Sequence, residues 1–146
     1  MKQGSTSGSM EAVGGSEYYS QTTKDIEVTV TPAFTPEQSD PARSVYSFSY
    51  TVTLVNKGRQ IVQLLNRHWL VFSGMKQIAD VKGEGVVGEQ PILRAGESYR
   101  YTSGTVVVDS FGHMYGTYTF RSEAGEFFDV VIPRFNLLFV SSSVVH

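Results

Sequence analysis

Cysteine is absent from the 146 residues, which excludes a disulfide framework, a thiolate zinc site and a cysteine nucleophile. Charge is also sparse, at 18% Asp, Glu, Lys and Arg with a formal net charge of −2. That balance argues against a dedicated partner of strong negative charge, whether nucleic acid or an acidic membrane surface. No apolar run approaches the roughly 18–20 residues of a membrane span. No apolar segment follows Lys2, so no secretory signal is expected. A cytoplasmic protein is the expectation. Helical periodicity is missing too, since no stretch of ten or more residues carries an amphipathic helical pattern.

What the chain does have is period-2 alternation. Hydrophobic residues make up 40% of it, enough to fill one core in a single domain. Ile26, Val28 and Val30 alternate with polar neighbours. Tyr46, Phe48, Tyr50, Val52 and Leu54 share one face, with Ser47, Ser49, Thr51 and Thr53 on the other. Residues 61–72 are apolar on both faces apart from Gln63, Asn66, Arg67 and His68, the pattern of a central strand. Residues 75–81, 98–108, 113–120 and 126–135 read as four more strands, separated by Gly-, Asn- and Ser-containing turns. Pro32, Pro41 and Pro133 fit edge strands or strand ends. The predicted fold class over residues 24–138 is therefore all-β, a sandwich or a barrel of about seven strands, with the proline positions favouring an open antiparallel β-sandwich. Residues 1–23, rich in Gly, Ser, Thr and Gln, are expected as a flexible tail, with GSTSGSM resembling an expression-vector leader. Residues 139–146 are expected as a second tail.

Two constellations carry candidate chemistry. Gly83-Glu84-Gly85-Val86-Val87-Gly88 is a literal G-x-G-x-x-G, but Glu89-Gln90-Pro91 follows it where a dinucleotide fold needs a helix, and Glu84 and Glu89 repel phosphate. Without the helix, successive amides of such a loop can still form an anion-binding nest. The competing reading is structural, with glycines serving a sharp turn, a bulge or close strand packing. Between Lys57 and Arg100, seven basic residues stand against four acidic ones, while the rest of the chain has five against ten. Lys82 and Arg67 are the basic residues placed to assist an anion at the loop. In Asn66-Arg67-His68-Trp69, Arg67 and Trp69 share one face of a regular strand and Asn66 and His68 the other. That cluster reads either as a ligand-facing set or as an internal hydrogen-bond network with Trp69 in the core.

Catalysis and metals find little support. His68, His113 and His146 lack metal-ligand spacing, no nucleophile elbow appears, and no cofactor motif survives. Asp109 and Asp129 are the carboxylates considered as partners for a histidine. Tyr115 and Phe127 fall out of phase with Tyr118, Phe120 and Phe128, which places some aromatics toward solvent as a candidate recognition patch.

Three separated strings, 62–69, 81–91 and 101–104, together with Gly112-His113-Met114-Tyr115-Gly116 and Ile132-Pro133, closely resemble the ApaG domain family. The resemblance runs from about residue 25 to 138. It implies a fibronectin-III-like or immunoglobulin-like sandwich. Bacterial members are small free-standing domains, often encoded near a diadenosine tetraphosphate hydrolase and linked to cobalt and magnesium resistance. Similar domains in eukaryotic F-box proteins and a polymerase-interacting protein look like protein-interaction modules. The family's Gly-rich loop implies a pyrophosphate or nucleotide site, here at Gly83, Gly85 and Gly88. The resulting expectation is a non-enzymatic binding module for a protein partner, with a phosphorylated nucleotide held by the 83–88 loop, Lys82 and Arg67 as the alternative.

Overall fold

The alternation becomes two antiparallel sheets in the computed structural model, which describes residues 9–13 and 16–140. The strands in chain order are β1 (Ser9–Val13), β2 (Ser16–Thr23), β3 (Ile26–Phe34), β4 (Tyr46–Asn56), β5 (Val62–Ser73), β6 (Lys76–Glu84), β7 (Ile92–Leu93), β8 (Ser98–Val107), β9 (Phe111–Ser122) and β10 (Phe127–Leu138). One sheet has the order β1-β2-β3-β4-β8, the other β10-β9-β5-β6, with β7 paired beside β6 on the start of β5. The only helical turns among the described residues are two short 3-10 turns, Pro36–Gln38 and Pro41–Arg43. No helix there is long and apolar enough to cross a membrane.

Packing follows the alternation. Ile26, Val28, Val30, Phe48, Tyr50, Val52 and Leu54 are buried from one sheet, and Leu64, Trp69, Val71, Met114, Tyr118, Phe120, Val130, Ile132, Phe135 and Leu137 from the other. Each such side chain contributes about 1.5–3 kcal/mol by leaving water. Phe135 joins the layers, with its ring against Tyr19, Tyr50 and Trp69. The buried Asn56 is fully used: its amide donates to the carbonyls of Gln60 and Leu93, and its oxygen accepts the Gly58 N–H. That network holds the 56–58 turn in place.

All seven expected strands are present, and three more join them. Residues 16–23, expected in a flexible tail, form β2 instead. They pair with β3 from Thr23↔Ile26 to Tyr19↔Val30, and Tyr19 is buried. The domain therefore starts at least eight residues before position 24; residues 1–8, 14 and 15 of the expected tail lie outside the described residues. At the other end Phe139, also assigned to a tail, packs on Phe34 and Tyr46. Residues 141–146 lie outside the described set. Pro32 sits within β3. Pairing to β2 stops at Val30, so the donor that proline lacks has no strand to miss.

Candidate functional site

A register shift between Leu64 and Asn66 on β5 sets the site. Before it, Val62 and Leu64 point inward; after it, Trp69 and Val71 do. The bulge hands the inner face to odd-numbered residues, and so turns Arg67 toward the core side while His68 faces out. Opposite Arg67 on β6 stands Gly83. A Cβ there would lie 2.9 Å from the Cζ, Nη1 and Nη2 atoms of Arg67 alike, so the guanidinium lies flat in the space a side chain would fill. Its Nη1 donates to the carbonyls of Glu84 and Gly85, both at 2.9 Å. Nε and Nη2 have no protein acceptor among the described residues.

The other two glycines of the motif answer backbone needs. Gly85 has φ +66°, and a Cβ there would sit 2.4 Å from the Glu89 carbonyl oxygen. Val87 and Gly88 take φ +42° and +81° between Val86 and Glu89, whose amides and carbonyls bond reciprocally at 2.8 Å. This is a tight turn with positive φ at both central positions. Loop donors are largely consumed: Gly85 N–H goes to the Leu65 carbonyl, Val86 N–H to Glu89, and Glu89 N–H to Val86. The Val87 and Gly88 amides have no acceptor among the described residues. Lys82 is exposed and pairs across from His68 on the outer face. Three of the five expected anion-site residues, Arg67, Lys82 and Gly83, line one outer pocket together with the carboxylates of Glu84 and Asp129, while Gly85 and Gly88 do not line it.

On that outer face His68 Nε2 lies 2.8 Å from Asp80 Oδ1, and the Thr119 hydroxyl donates to Asp129. Asp109 instead accepts the Ser73 hydroxyl. Neither candidate carboxylate orients a histidine; Asp80 does. His68 and His113 stay apart, since β5 holds them opposite Thr117 and Phe72 respectively. No three His, Asp or Glu side chains gather as a metal site among the described residues. The phase argument for aromatics places Phe127 in solvent. Tyr115 is half-buried on the outer face, where its ring and those of Phe72 and His113 lie nearly parallel. Burial, then the nearby Arg134 charge, holds His113 below the ordinary histidine pKa.

Inward, a cleft of about 320 Å³ opens between the edge strands β6 and β8. Val81 and Ala79 form one wall, Ser103 and Thr105 the other; Trp69 and Tyr50 lie deeper, and Arg67 is the only charged residue lining it. The Tyr101 and Tyr118 hydroxyls bond to one another behind it. Burial raises the pKa of Tyr50, Tyr101 and Tyr118, and the Arg67 charge offsets that in part at all three. They are neutral phenols at physiological pH. The cleft can therefore offer hydroxyls and one cation, with no carboxylate competing for it.

This Gly83–Arg67 pairing and the turn that follows lie inside a wider match. The sequence model of the ApaG domain matches residues 36–122. The chain belongs to the ApaG family. The Protein ApaG of Paramagnetospirillum magneticum is 50% identical over 119 residues, covering 82% of this chain and 92% of that protein. The Protein ApaG of Afipia carboxidovorans is 47% identical over the same shares. Among solved structures, a Bordetella pertussis protein designated ApaA superposes with a TM-score of 0.78 at 42% identity, covering 81% of this chain and 96% of that one. Within this ApaG domain, the sequence singles out Arg67 and the glycines as candidates but not the cleft. Tyr50 and Tyr101 read as ordinary core, and nothing local says that β8 ends its sheet.

Proposed function

We propose that this ApaG-family domain is a non-catalytic, cytoplasmic binding module that takes an extended segment of a protein partner along β8. The observation that carries the reading is the edge itself. β8 pairs with β4 on one side and with no described strand on the other. Residues 101–107, Tyr-Thr-Ser-Gly-Thr-Val-Val, contain no charge and no proline. Edges are normally guarded by just those features. The facing edge β6 is guarded by Lys76, Asp80, Lys82 and Glu84 and by a register shift at Val71/Phe72. β10, the outer edge of the same sheet, carries Pro133 within a shift of its own. An unguarded edge supplies main-chain donors and acceptors to an added strand.

The nucleotide alternative retains Lys82 and the Val87 and Gly88 amides, a thinner donor set than a nest requires. One titration tests both readings. Isotope-labelled protein would be followed by amide shifts as a capped heptapeptide of alternating threonine and valine is added, then separately ATP with magnesium. Saturable shifts along 101–107, lost when alternate peptide nitrogens are methylated, support strand addition. Unchanged β8 shifts up to millimolar peptide overturn it, and saturable ATP shifts confined to 83–88 would put the nucleotide reading in its place.

A further inference from the structure

Arg67 is a half-buried cation without an anion. The ion pairs of the described residues are Arg43–Asp40, Lys57–Glu27 and His68–Asp80, and none involves Arg67. Its guanidinium spends Nη1 on two carbonyls and leaves Nε and Nη2 uncommitted. A charge held off bulk water without a counter-charge is costly, and the cleft around it contains no carboxylate. The seat is nonetheless well made, with Gly83 cleared for the planar group and two carbonyls fixing its rotation.

Strain collects at the same place. Val87 takes φ +42°, a left-handed conformation that a β-branched residue rarely adopts, although asparagine or glycine would fit that turn position better. Its side chain is 56% exposed and lines the cleft beside Val86. Backbone strain that folding alone does not need collects at ligand-contacting positions.

Geometry joins this pocket to β8. A strand added to the free edge would run beside Tyr101, Ser103 and Thr105, across the opening of the cleft. Every second side chain of that strand would point toward the other sheet, on the side where Tyr50 pairs with Ser103 and Arg67 lies. Resting on the strand-addition reading, we propose that the partner segment carries an acidic residue at one inward position, and that its carboxylate is received by Nε and Nη2 of Arg67 in the cleft between β6 and β8. The apolar wall of Val81 and Ala79 limits water on one side of the pair and strengthens it, so the cleft selects glutamate or aspartate over a neutral or basic residue.

The test uses the full chain and three capped heptapeptides of threonine and valine, with glutamate, glutamine or lysine at the centre. The glutamate peptide is expected to bind about tenfold more tightly than the glutamine one, as a charge-assisted hydrogen bond implies, and the lysine peptide more weakly than either. The Arg67 side-chain Nε resonance should move with glutamate alone. Arg67→Gln, checked for an intact amide spectrum, should erase the preference while the β8 shifts persist. Equal binding of all three peptides, with shifts along β8, overturns the acidic-residue inference and leaves strand addition standing. No β8 shift with any peptide overturns strand addition, and this inference with it. Because the glutamate-to-glutamine change is made in the peptide, the comparison survives even if Arg67→Gln fails to fold.

Discussion

Along one side of the sandwich β10 lies over β2 and β3. There the Tyr19 and Phe135 rings meet, and the Val131 amide donates across the layers to the Thr23 hydroxyl. Along the other side β6 and β8 face each other without such a stitch, and a cleft holding Arg67 remains between them. The closed side is built from apolar contact and inter-sheet bonding. The open side keeps an unpaired strand edge, an unpartnered cation and a strained valine. On the proposed reading, stability and recognition fall to opposite sides of one small domain, and substitutions on the two sides should report on different properties.

The largest effect is expected on the closed side. Phe135→Ala removes a ring that touches Tyr19, Tyr50 and Trp69 and should cost about 3–5 kcal/mol in urea unfolding, with weakened peptide binding only as far as folding fails. The glycines of the 83–88 loop sharpen the contrast next. Gly85→Ala meets a backbone carbonyl at positive φ and should cost about 1–3 kcal/mol. Gly88→Ala has open space but a left-handed φ and should cost about 1 kcal/mol. Gly83→Ala meets the end of the Arg67 side chain rather than backbone, so it should cost least in stability while displacing the guanidinium and abolishing the preference for the glutamate peptide. A ranking with Gly83 costliest would break the assignment. Val87→Gly should move the other way, raising stability by about 0.5–1 kcal/mol and weakening binding, as urea midpoints and peptide titration together would show. The smallest effect is electrostatic. His113 has a depressed pKa when folded, so the unfolded chain binds more protons as pH falls through the ordinary histidine range. Stability should decline on acidification from above about pH 6.5, and less steeply in Arg134→Gln, in thermal melts across that window.

Much of the fold was legible because its signal is local. Ile26, Val28 and Val30, and the series from Tyr46 to Leu54, alternate regularly and are buried as the alternation implies. β2 was not legible, because Ser16–Thr23 is almost wholly polar and, among residues 17–23, Tyr19 alone is buried in the core. What orders it is pairing to β3, and cross-strand bonding leaves little mark on composition. The site shows the same division. Arg67 stands out as a charge within an apolar strand, and the glycines as a motif. That Arg67 rests on Gly83 depends on a register between β5 and β6, and its inward aim on a bulge at residue 65, neither of which has a local signature. Each glycine of that motif also meets a local backbone need, Gly83 making room for Arg67 and Gly85 and Gly88 taking positive φ.

Three phenols in and behind the cleft make the open side sensitive to alkali. Tyr50, Tyr101 and Tyr118 keep their protons above the ordinary tyrosine value because the interior disfavours phenolate. The unfolded chain gives those protons up at about pH 10, so rising pH drains stability through this one cluster. Their red-shifted phenolate absorbance in the near ultraviolet would then appear only as water enters. The domain carries an optical gauge of its own opening, set in the wall of the cavity that the partner is proposed to fill.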